Sequence, residues 1–381
     1  MRRDDHVSGI RSAAAFGIAR CVQRALGYGN AFTACAEYTL PPELTPMRNR
    51  ISPWFLVPVL ATAMSCSSES EPQDAAATPD TDSNQDVTVP DTVAEVDTTP
   101  DVPRGPLWWL EEAPAAGAEP RLLLIGLDGV RGDAFEAADT PNFDLLRERG
   151  TWTFTGTTQL TTTTDSSAGW TALATGVDST RTGVLNNDTL GVRNLDYPSF
   201  AQMLKDAQQA QIVIAAHWLP FAYGVHEGGL TDAVTIGSDE EVTAALVSAI
   251  RTGTEDVYLL HLDDTDATGH ALGFSPDVPE YIAAIETADA YAGRVIAAVG
   301  GRATLAQENW LVMVVTDHGG EGTGHGDMVP GCQIIPFIFA GATRSRGEFD
   351  VQVSHLDVTP TVLTHFGALD AASDELQGVA R

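Results

Sequence analysis

The feature that most constrains the fold of this chain is the alternation of continuously apolar runs with segments that have a helical pattern. RLLLIGL, DVYLLHL and NWLVMVV are typical of strands buried on both faces. Between such runs, TPNFDLLRERG predicts a helix with Thr140 as its N-cap and Gly150 as its stop. Ser238 and Glu241 have the spacing of a capping box at the start of another helix. Strands that alternate with helices predict an α/β fold, with a mostly parallel central sheet and helices on both faces.

Composition narrows the possible partners. The chain has 381 residues, 43% of them hydrophobic, and a formal net charge of −31. That charge argues against a nucleic-acid-binding surface and against a general attraction to anionic lipid. Lys205 is the single lysine, so an anion would have to be bound by arginine, a metal ion or a helix N-terminus. The cysteines lack paired spacing, which argues against a disulfide framework and a cysteine zinc site; they are Cys21, Cys35, Cys66 and Cys332.

The N-terminal part has the features of an export signal. Residues 47–66, MRNRISPWFLVPVLATAMSC, join a basic start to an apolar run too short for a comfortable membrane span. They resemble a bacterial lipoprotein signal peptide cleaved before a lipidated Cys66, although Ala63 stands where such signals usually have leucine. The alternative is an ordinary secretory signal with an incidental cysteine. Residues 1–46 are then either an upstream extension of the protein or a segment included because the start was mis-assigned before Met47.

An acidic segment follows the signal. Residues 67–118 are rich in Asp, Glu, Pro, Ser and Thr, and such a composition predicts a disordered linker. The folded domain is then expected over residues 119–381. Together with lipidation at Cys66, this arrangement predicts an exported bacterial protein with a lipid anchor in the membrane. Ser67 after the cysteine favours the outer membrane, facing the periplasm or the cell surface.

Carboxylates and imidazoles follow three of the predicted strands. The residues are Asp128 after the first strand, Asp266 and His270 after DVYLLHL, and Asp317, His318 and His325 after NWLVMVV. Because the carboxyl ends of parallel strands share one edge of a sheet, these side chains are expected close together. Aspartate and histidine suit zinc, and repeated sets suit a two-metal site. A single Asp-His pair would more simply be a capping pair, but unpaired charge at three strand ends is costly.

A possible nucleophile lies in TTTTDSSAGWTALATG, residues 161–176. Ser166 is expected at the N-terminus of a helix that Gly176 ends, where backbone N–H groups and the helix dipole favour an oxyanion. A serine activated by a metal is a plausible nucleophile at such a position. The alternative is that Asp165 or Ser166 is simply the N-cap.

These motifs together resemble the alkaline phosphatase superfamily, and within it the type I phosphodiesterase and nucleotide pyrophosphatase branch. The resemblance runs from about Pro120 to the C-terminus. It is carried by LLLIGLDGVR, TDSSAGWTALATG, TGVLNND, DATGHALGFSP, VTDHGGEGTGHGD and DVTPTVLTHFG, in that order. It implies an alkaline phosphatase-like three-layer sandwich that binds two Zn²⁺ ions, or other divalent metals.

The resemblance also implies roles for single residues. One metal would be held by Asp128, Ser166, Asp317 and His318, and the other by Asp266, His270 and His325. Ser166 would be the nucleophile. Asn187 would donate a hydrogen bond to a phosphoryl oxygen, although a turn asparagine is the simpler interpretation of NND.

Some residues depart from the family patterns. The branch usually has threonine where this chain has Ser166. Ala168 and Trp170 replace the proline and arginine that sulfatases of the superfamily need for their formylglycine, which argues against a sulfatase. Arg131 and Arg181 lie near motifs, where either a substrate contact or a surface salt bridge is possible.

The resemblance implies metal-dependent hydrolysis of a small-molecule phosphate ester through a phosphoserine at Ser166. A phosphodiester is preferred because Asn187 matches and no lysine is at hand, with a phosphomonoester as the nearest alternative. A phosphotransferase or mutase and a sulfatase-like enzyme are the alternatives within the superfamily. The non-enzyme alternative is a tethered binding lipoprotein on an inactive hydrolase scaffold.

Overall fold

A computed structural model describes residues 107–158, 161–226, 233–342, 344–372 and 375–381 of the chain. The upstream extension 1–46, the signal at 47–66 with Cys66, and the linker up to residue 106 lie outside these residues, so the predictions made for them stay predictions. None of the helices within the described ranges combines the length and the hydrophobicity needed to cross a bilayer.

The C-terminal end of the predicted linker 67–118 belongs to the folded domain. A 3₁₀ helix spans Trp108–Leu110, and both Trp109 and Leu110 are buried. The Trp109 ring meets the Trp310 ring edge to face, with centroids 6.4 Å apart. The prediction rested on the acidic composition averaged over the whole linker, and three apolar residues change that average little. Tryptophan side chains bury a large area each, so even this short segment can pack against the domain.

Within the described residues, eight strands form one sheet in the order β4-β3-β5-β1-β6-β7-β2-β8. Their bounds are β1 Glu119–Leu127, β2 Gly150–Thr157, β3 Ile212–Ala216, β4 Ala233–Ile236, β5 Val257–Leu262, β6 Glu308–Thr316, β7 Ile334–Ala340 and β8 Gly347–Glu348. Strand β7 is antiparallel to β6 and β2, and every other adjacent pair is parallel. The mostly parallel sheet is therefore confirmed.

The α-helices of the described residues lie between these strands in the chain, except α10, which follows β8. Their bounds are α1 Gly132–Ala137, α2 Pro141–Arg147, α3 Ser166–Thr175, α4 Ser179–Thr182, α5 Phe200–Gln208, α6 Asp239–Thr252, α7 Asp264–Leu272, α8 Pro279–Gly300, α9 Pro330–Gln333 and α10 Val358–His365. The capping box of Ser238 and Glu241 at the start of α6 is confirmed.

The sheet is covered on both faces, as predicted. Alternate residues of β1 enter two different hydrophobic clusters, with Leu122 and Leu124 in one and Leu123 and Ile125 in the other. Helices α3, α5 and α10 contribute to the first cluster, and α1, α2, α6 and α8 contribute to the second. This three-layer arrangement explains why the strands are continuously apolar.

The prediction that Gly150 stops helix α2 is wrong. Thr140 does lie at the N-cap position, but α2 ends at Arg147 and Gly150 is the first residue of β2. Strands β2 and β7 pair so closely there that a Cβ on Gly150 would lie 2.3 Å from the Phe339 carbonyl oxygen. The glycine thus permits the contact between strands, and helix termination has no part in its placement.

Candidate metal centre

Three neighbouring strands bring the predicted ligands to one edge of the sheet. Asp128 directly follows β1, Asp317 directly follows β6, and Asp266 lies in the first turn of α7 after β5. In the register of the sheet, Leu127 at the end of β1 pairs with the last residues of both β5 and β6. The three strands that precede these carboxylates therefore end at the same level of the sheet, where ligands of parallel sheets gather.

Asp128, Asp317 and His318 form the first ligand group. Each offers a ligand atom, and these atoms lie within 4.8 Å of one another. His318 Nε2 is 3.5 Å from Asp128 Oδ1, 3.3 Å from Asp317 Oδ2 and 3.1 Å from Ser166 Oγ. The four residues that the family resemblance assigns to one metal are thus adjacent.

Asp266, His270 and His325 form the second ligand group, with the same limit of 4.8 Å between their ligand atoms. His270 Nε2 lies 3.3 Å from Asp266 Oδ2, and His325 Nε2 lies 3.9 Å from Asp266 Oδ1. The His325 ring stacks on the His318 ring with centroids 3.8 Å apart, so the two groups adjoin. Close approach also depends on Gly129, whose φ is +66° and whose Cβ would lie 2.6 Å from Asp266 Oδ1.

The three histidines of these groups share one orientation. Each places Nδ1 beside a backbone carbonyl oxygen, at 2.7 Å for His318, 3.0 Å for His270 and 3.2 Å for His325. Because a carbonyl only accepts hydrogen bonds, each Nδ1 carries the proton and each Nε2 keeps its lone pair. All three lone pairs then face the carboxylates, as in histidines whose outer nitrogen orients a metal ligand.

The carboxylates of the two groups each have a buried oxygen that is left free to bind a metal. Asp317 Oδ1 accepts from the backbone N–H groups of Gly129 and His318, whereas Oδ2 is buried and lacks a hydrogen-bond partner among the described residues. Asp128 Oδ1 and Asp266 Oδ1 are likewise buried without a partner in the described part of the chain. Unpaired buried oxygens are costly, and a divalent cation among them would supply the missing contact. The donor set therefore fits two divalent metal ions.

Electrostatics supports the same conclusion. Burial, followed by the charges of Asp128 and Asp263, raises the pKa of Asp266 to about 9. Burial and the charge of Asp128 also raise the pKa of Asp317 well above its usual range. Burial and the neighbouring His325 lower the pKa of His318 to about 3. Asp128 differs: although burial opposes it, the hydrogen bond with His261 and the nearby histidines lower the pKa of Asp128 to about 2. Without a cation Asp266 and Asp317 therefore favour the protonated form beside the neutral imidazole of His318, and a bound cation would reverse the preference of these two carboxyls.

We expect the metal-free protein to lose stability between pH 7 and pH 9. Because the pKa of Asp266 is raised to about 9 in the folded state, the fold keeps a proton that the unfolded chain has already lost, and stability falls with rising pH until the folded carboxyl ionises near pH 9. Urea unfolding in the presence of a chelator should show a loss of roughly 2 kcal/mol over this range. The low pKa of His318 does not contribute, because histidine is neutral in both folded and unfolded states above pH 7. Asp266→Asn should make the slope shallower, with the raised pKa of Asp317 accounting for the remainder, and an equally steep slope in that variant would contradict the assignment.

Ser166 is the first residue of α3, and its surroundings differ from a simple capping site. Asp165 occupies the N-cap position, but its side chain makes no capping hydrogen bond, and its Oδ2 accepts one from Thr163 Oγ1 instead. Asn187 Oδ1 accepts from the Ser167 backbone N–H at 2.9 Å, so this asparagine caps the helix from another segment. Asp165 is thus the N-cap residue by position, but the side-chain oxygen that caps the helix comes from Asn187.

The basic residues near the motifs are held in ion pairs. Arg131 pairs with Asp133 and Glu321, and it donates to the carbonyl oxygens of Phe274 and Gly320. Arg181 forms a salt bridge with the exposed Glu375. The salt-bridge alternative for both arginines is confirmed. Lys205 lies within α5.

Sequence reasoning missed two partners of Asp128. His261 Nε2 lies 3.1 Å from Asp128 Oδ2, and Trp170 Nε1 donates to the same oxygen at 3.0 Å. His261 is the one histidine in the buried strand VYLLHL, and a buried histidine needs a partner, but the sequence does not identify that partner as Asp128. Two further groups with metal-ligand spacing occur nearby; they are Asp128 with His261 and Asp263, and His217 with Asp239 and Asp264.

Two family models match adjoining parts of the chain. The type I phosphodiesterase / nucleotide pyrophosphatase model matches residues 122–227, which include Asp128, Ser166 and Asn187. The metalloenzyme superfamily model matches residues 226–370, which include all the other predicted ligands.

Curated relatives cover a smaller part of the chain. A 2,3-bisphosphoglycerate-independent phosphoglycerate mutase of Shewanella baltica is 31% identical over 144 residues, which are 37% of this chain and 26% of that protein. The mutase of the same name from Ectopseudomonas mendocina is 32% identical over 133 residues, 34% of this chain and 24% of that protein. This chain therefore spans about a quarter of the length of these relatives.

Solved structures share the fold at low sequence identity. A candidate sulfatase of Bacteroides fragilis has a TM-score of 0.55 at 16% identity, covering 71% of this chain and 78% of that one. A phosphonate monoester hydrolase of Silicibacter pomeroyi has a TM-score of 0.50 at 14% identity, covering 69% and 78%. The two family matches therefore confirm the resemblance to the alkaline phosphatase superfamily and its type I phosphodiesterase branch, and the solved structures share the fold.

Proposed function

We propose that this protein hydrolyses phosphate esters, preferentially phosphodiesters, through a covalent intermediate on Ser166. One observation carries the proposal: Ser166 Oγ lies 3.1 Å from His318 Nε2, at the start of a helix and beside two complete three-ligand groups. A serine at that position is close enough to share a metal with Asp128, Asp317 and His318. Asp266, His270 and His325 would hold the second metal.

Zinc ions in the two groups would lower the pKa of the serine hydroxyl and of water, and would neutralise the charge that develops on the phosphoryl oxygens. The chain itself fixes the geometry. The ten-residue helix α3 directs its N-terminal dipole at the phosphoryl group, and it places Ser166 at that end. Burial of His318 and Asp317 excludes water from one side of the site.

The proposed reaction has two displacement steps. In the first, a bond forms between Ser166 Oγ and phosphorus while the bond from phosphorus to the leaving alcohol breaks. The serine proton passes to solvent, and the leaving alkoxide takes up a proton from solvent to become the alcohol. In the second, the oxygen of a water molecule attacks phosphorus, the bond to Ser166 Oγ breaks, and a proton released by that water returns to the serine oxygen.

Asn187 has a defined part in this scheme. Its Oδ1 is occupied by the Ser167 N–H, so its side-chain NH₂ is the end that is left to donate to a phosphoryl oxygen. The same hydrogen bond ties Asn187 to the first turn of α3, next to Ser166. Its position is thereby fixed relative to the nucleophile, as electrostatic stabilisation of a phosphoryl group requires.

The preference for phosphodiesters rests on two supports. The phosphodiesterase family model matches the region that contains Ser166 and Asn187. Lys205, the single lysine, lies in α5, so the site lacks a lysine to bind the extra charge of a monoester. The mutase relatives favour a second candidate, transfer of the phosphoryl group to another hydroxyl instead of water.

A substrate panel tests the proposal. We expect the zinc-loaded protein to hydrolyse bis(4-nitrophenyl) phosphate with a higher kcat/KM than 4-nitrophenyl phosphate, and to leave 4-nitrophenyl sulfate nearly untouched. A preference for the monoester would reverse the order of the two phosphatase candidates. Interconversion of 2- and 3-phosphoglycerate without release of phosphate would favour the mutase. Turnover of the sulfate alone would overturn the proposal.

A further inference from the structure

The carboxylate of Asp128 is held by two donors that both reach the same oxygen. His261 Nε2 is 3.1 Å and Trp170 Nε1 is 3.0 Å from Asp128 Oδ2. We propose that His261 and Trp170 are positioning residues that fix the direction of this carboxylate toward the first metal; we call the pair the Asp128 clamp. The inference rests on the proposed function in one respect, that Asp128 ligates a metal.

The clamp separates the two oxygens of Asp128. With Oδ2 accepting from two donors, Oδ1 is left as the free oxygen, and it is buried without a hydrogen-bond partner in the described part of the chain. Oδ1 also faces the other ligands, since it lies 3.5 Å from His318 Nε2. The two hydrogen bonds thus fix the orientation of the carboxylate in the metal-free protein, with Oδ1 as the oxygen that would bind the metal.

Neither donor can easily turn away. His261 is fully buried in β5, and its ring packs against the rings of Trp170, Phe221 and Trp218 with centroids 5.1, 4.8 and 6.3 Å apart. Trp170 is also fully buried and lies one turn after Ser166 in α3. The clamp therefore connects the helix that carries the nucleophile with the strand that carries the metal ligand.

The second nitrogen of His261 argues against a purely structural role. A carboxylate oxygen can only accept, so the proton is on Nε2, and His261 Nδ1 is a buried acceptor without a hydrogen-bond partner among the described residues. An unpaired buried acceptor destabilises the fold, and an apolar side chain in this strand would avoid that cost. What histidine supplies and leucine lacks is the hydrogen bond to Asp128.

Zinc affinity of the purified full-length chain, measured by competition with a chromogenic chelator, tests the clamp. We expect His261→Leu and Trp170→Phe each to raise the Kd of one of the two zinc ions by roughly 10–100-fold and to spare the other. His261→Gln keeps an N–H donor near the position of Nε2 and should recover most of the affinity. The cobalt-substituted protein should show a changed visible spectrum for the same single site.

Matched controls separate positioning from loss of packing. His226 is fully buried and packs against Phe221 at 4.9 Å, yet it is not in any of the candidate ligand groups of the described residues. His226→Leu and Trp310→Phe should therefore lower stability at most, with both zinc affinities unchanged. Equal weakening of zinc binding by His226→Leu and His261→Leu would overturn the clamp.

The remaining outcomes show whether the clamp alone or the proposed function as well is wrong. A wild-type protein that binds two zinc ions, together with a Trp170→Phe variant of unchanged affinity, overturns the clamp and leaves the proposed function standing. Should His261→Leu fail to fold, Trp170→Phe and His261→Gln decide the question. A wild-type protein that binds no divalent metal overturns both.

Discussion

Ser166→Ala is expected to lower kcat for every phosphate ester that the protein turns over by roughly 10⁴-fold or more, as happens when a covalent route is removed. The fold and the metal content should change little, because Asp128, Asp317 and His318 remain as ligands of the first metal. Steady-state kinetics on bis(4-nitrophenyl) phosphate, with zinc measured on the same preparation, checks both parts. Near-normal turnover by this variant would show that Ser166 is not the nucleophile.

The adjacent serine provides a matched control. Ser167 is fully buried, and its Oγ lacks a hydrogen-bond partner within the described residues. The contact that Ser167 makes with Asn187 uses its backbone N–H, which alanine keeps. Ser167→Ala should therefore retain kcat within a few-fold of the wild-type value, and a loss as deep as that of Ser166→Ala would indicate damage to helix α3.

His325→Ala is expected to remove one metal and keep the other. His325 is one of three ligands in the second group, whereas the first group retains all of its members. Purified protein should contain about two zinc ions per chain in the wild type and about one in the variant. The loss of the second metal should also lower kcat/KM by several orders of magnitude, because that ion would stabilise the leaving oxygen.

A histidine near the N-terminal ends of the strands, away from the candidate metal centre, serves as the control for His325→Ala. His365 Nε2 lies 3.1 Å from the carbonyl oxygen of Arg121 and 3.0 Å from that of Asn309, which are near the starts of β1 and β6. His365→Ala should keep both zinc ions even if the protein becomes less stable. Retention of both zinc ions by His325→Ala would contradict the assignment of the second group.

The strands were predictable from sequence where both of their faces are buried. RLLLIGL and NWLVMVV form β1 and β6 because helices cover both sides of the sheet, so no polar residue interrupts the runs. Strand β2 escaped prediction, since GTWTFTGT mixes polar and aromatic residues and its register shifts between Thr153 and Gly156. Its place in the sheet is decided by pairing with β7, a contact between residues far apart in sequence.

The ligand positions were predictable for a related reason. An aspartate or histidine directly after a buried strand has few structural explanations, and the topology brings several such residues to one edge. The partners of the ligands lacked this signal. His261 lies inside an apolar strand and Trp170 inside an apolar helix, where both are ordinary core residues until the position of Asp128 is known.

The central place of β1 in the sheet has a consequence for how the protein matures. Strand β1 pairs with β5 and β6, and the Gly129 N–H reaches the Asp317 carboxylate across 188 positions of the chain. Contacts so distant in sequence form slowly, because the chain loses the entropy of closing a long loop before the contacts stabilise the fold. A nascent chain that has emerged only as far as α8 holds Asp128 and Ser166 of the first ligand group but neither Asp317 nor His318. A metal would therefore bind the first ligand group only late in folding, after the chain up to His318 has been synthesised.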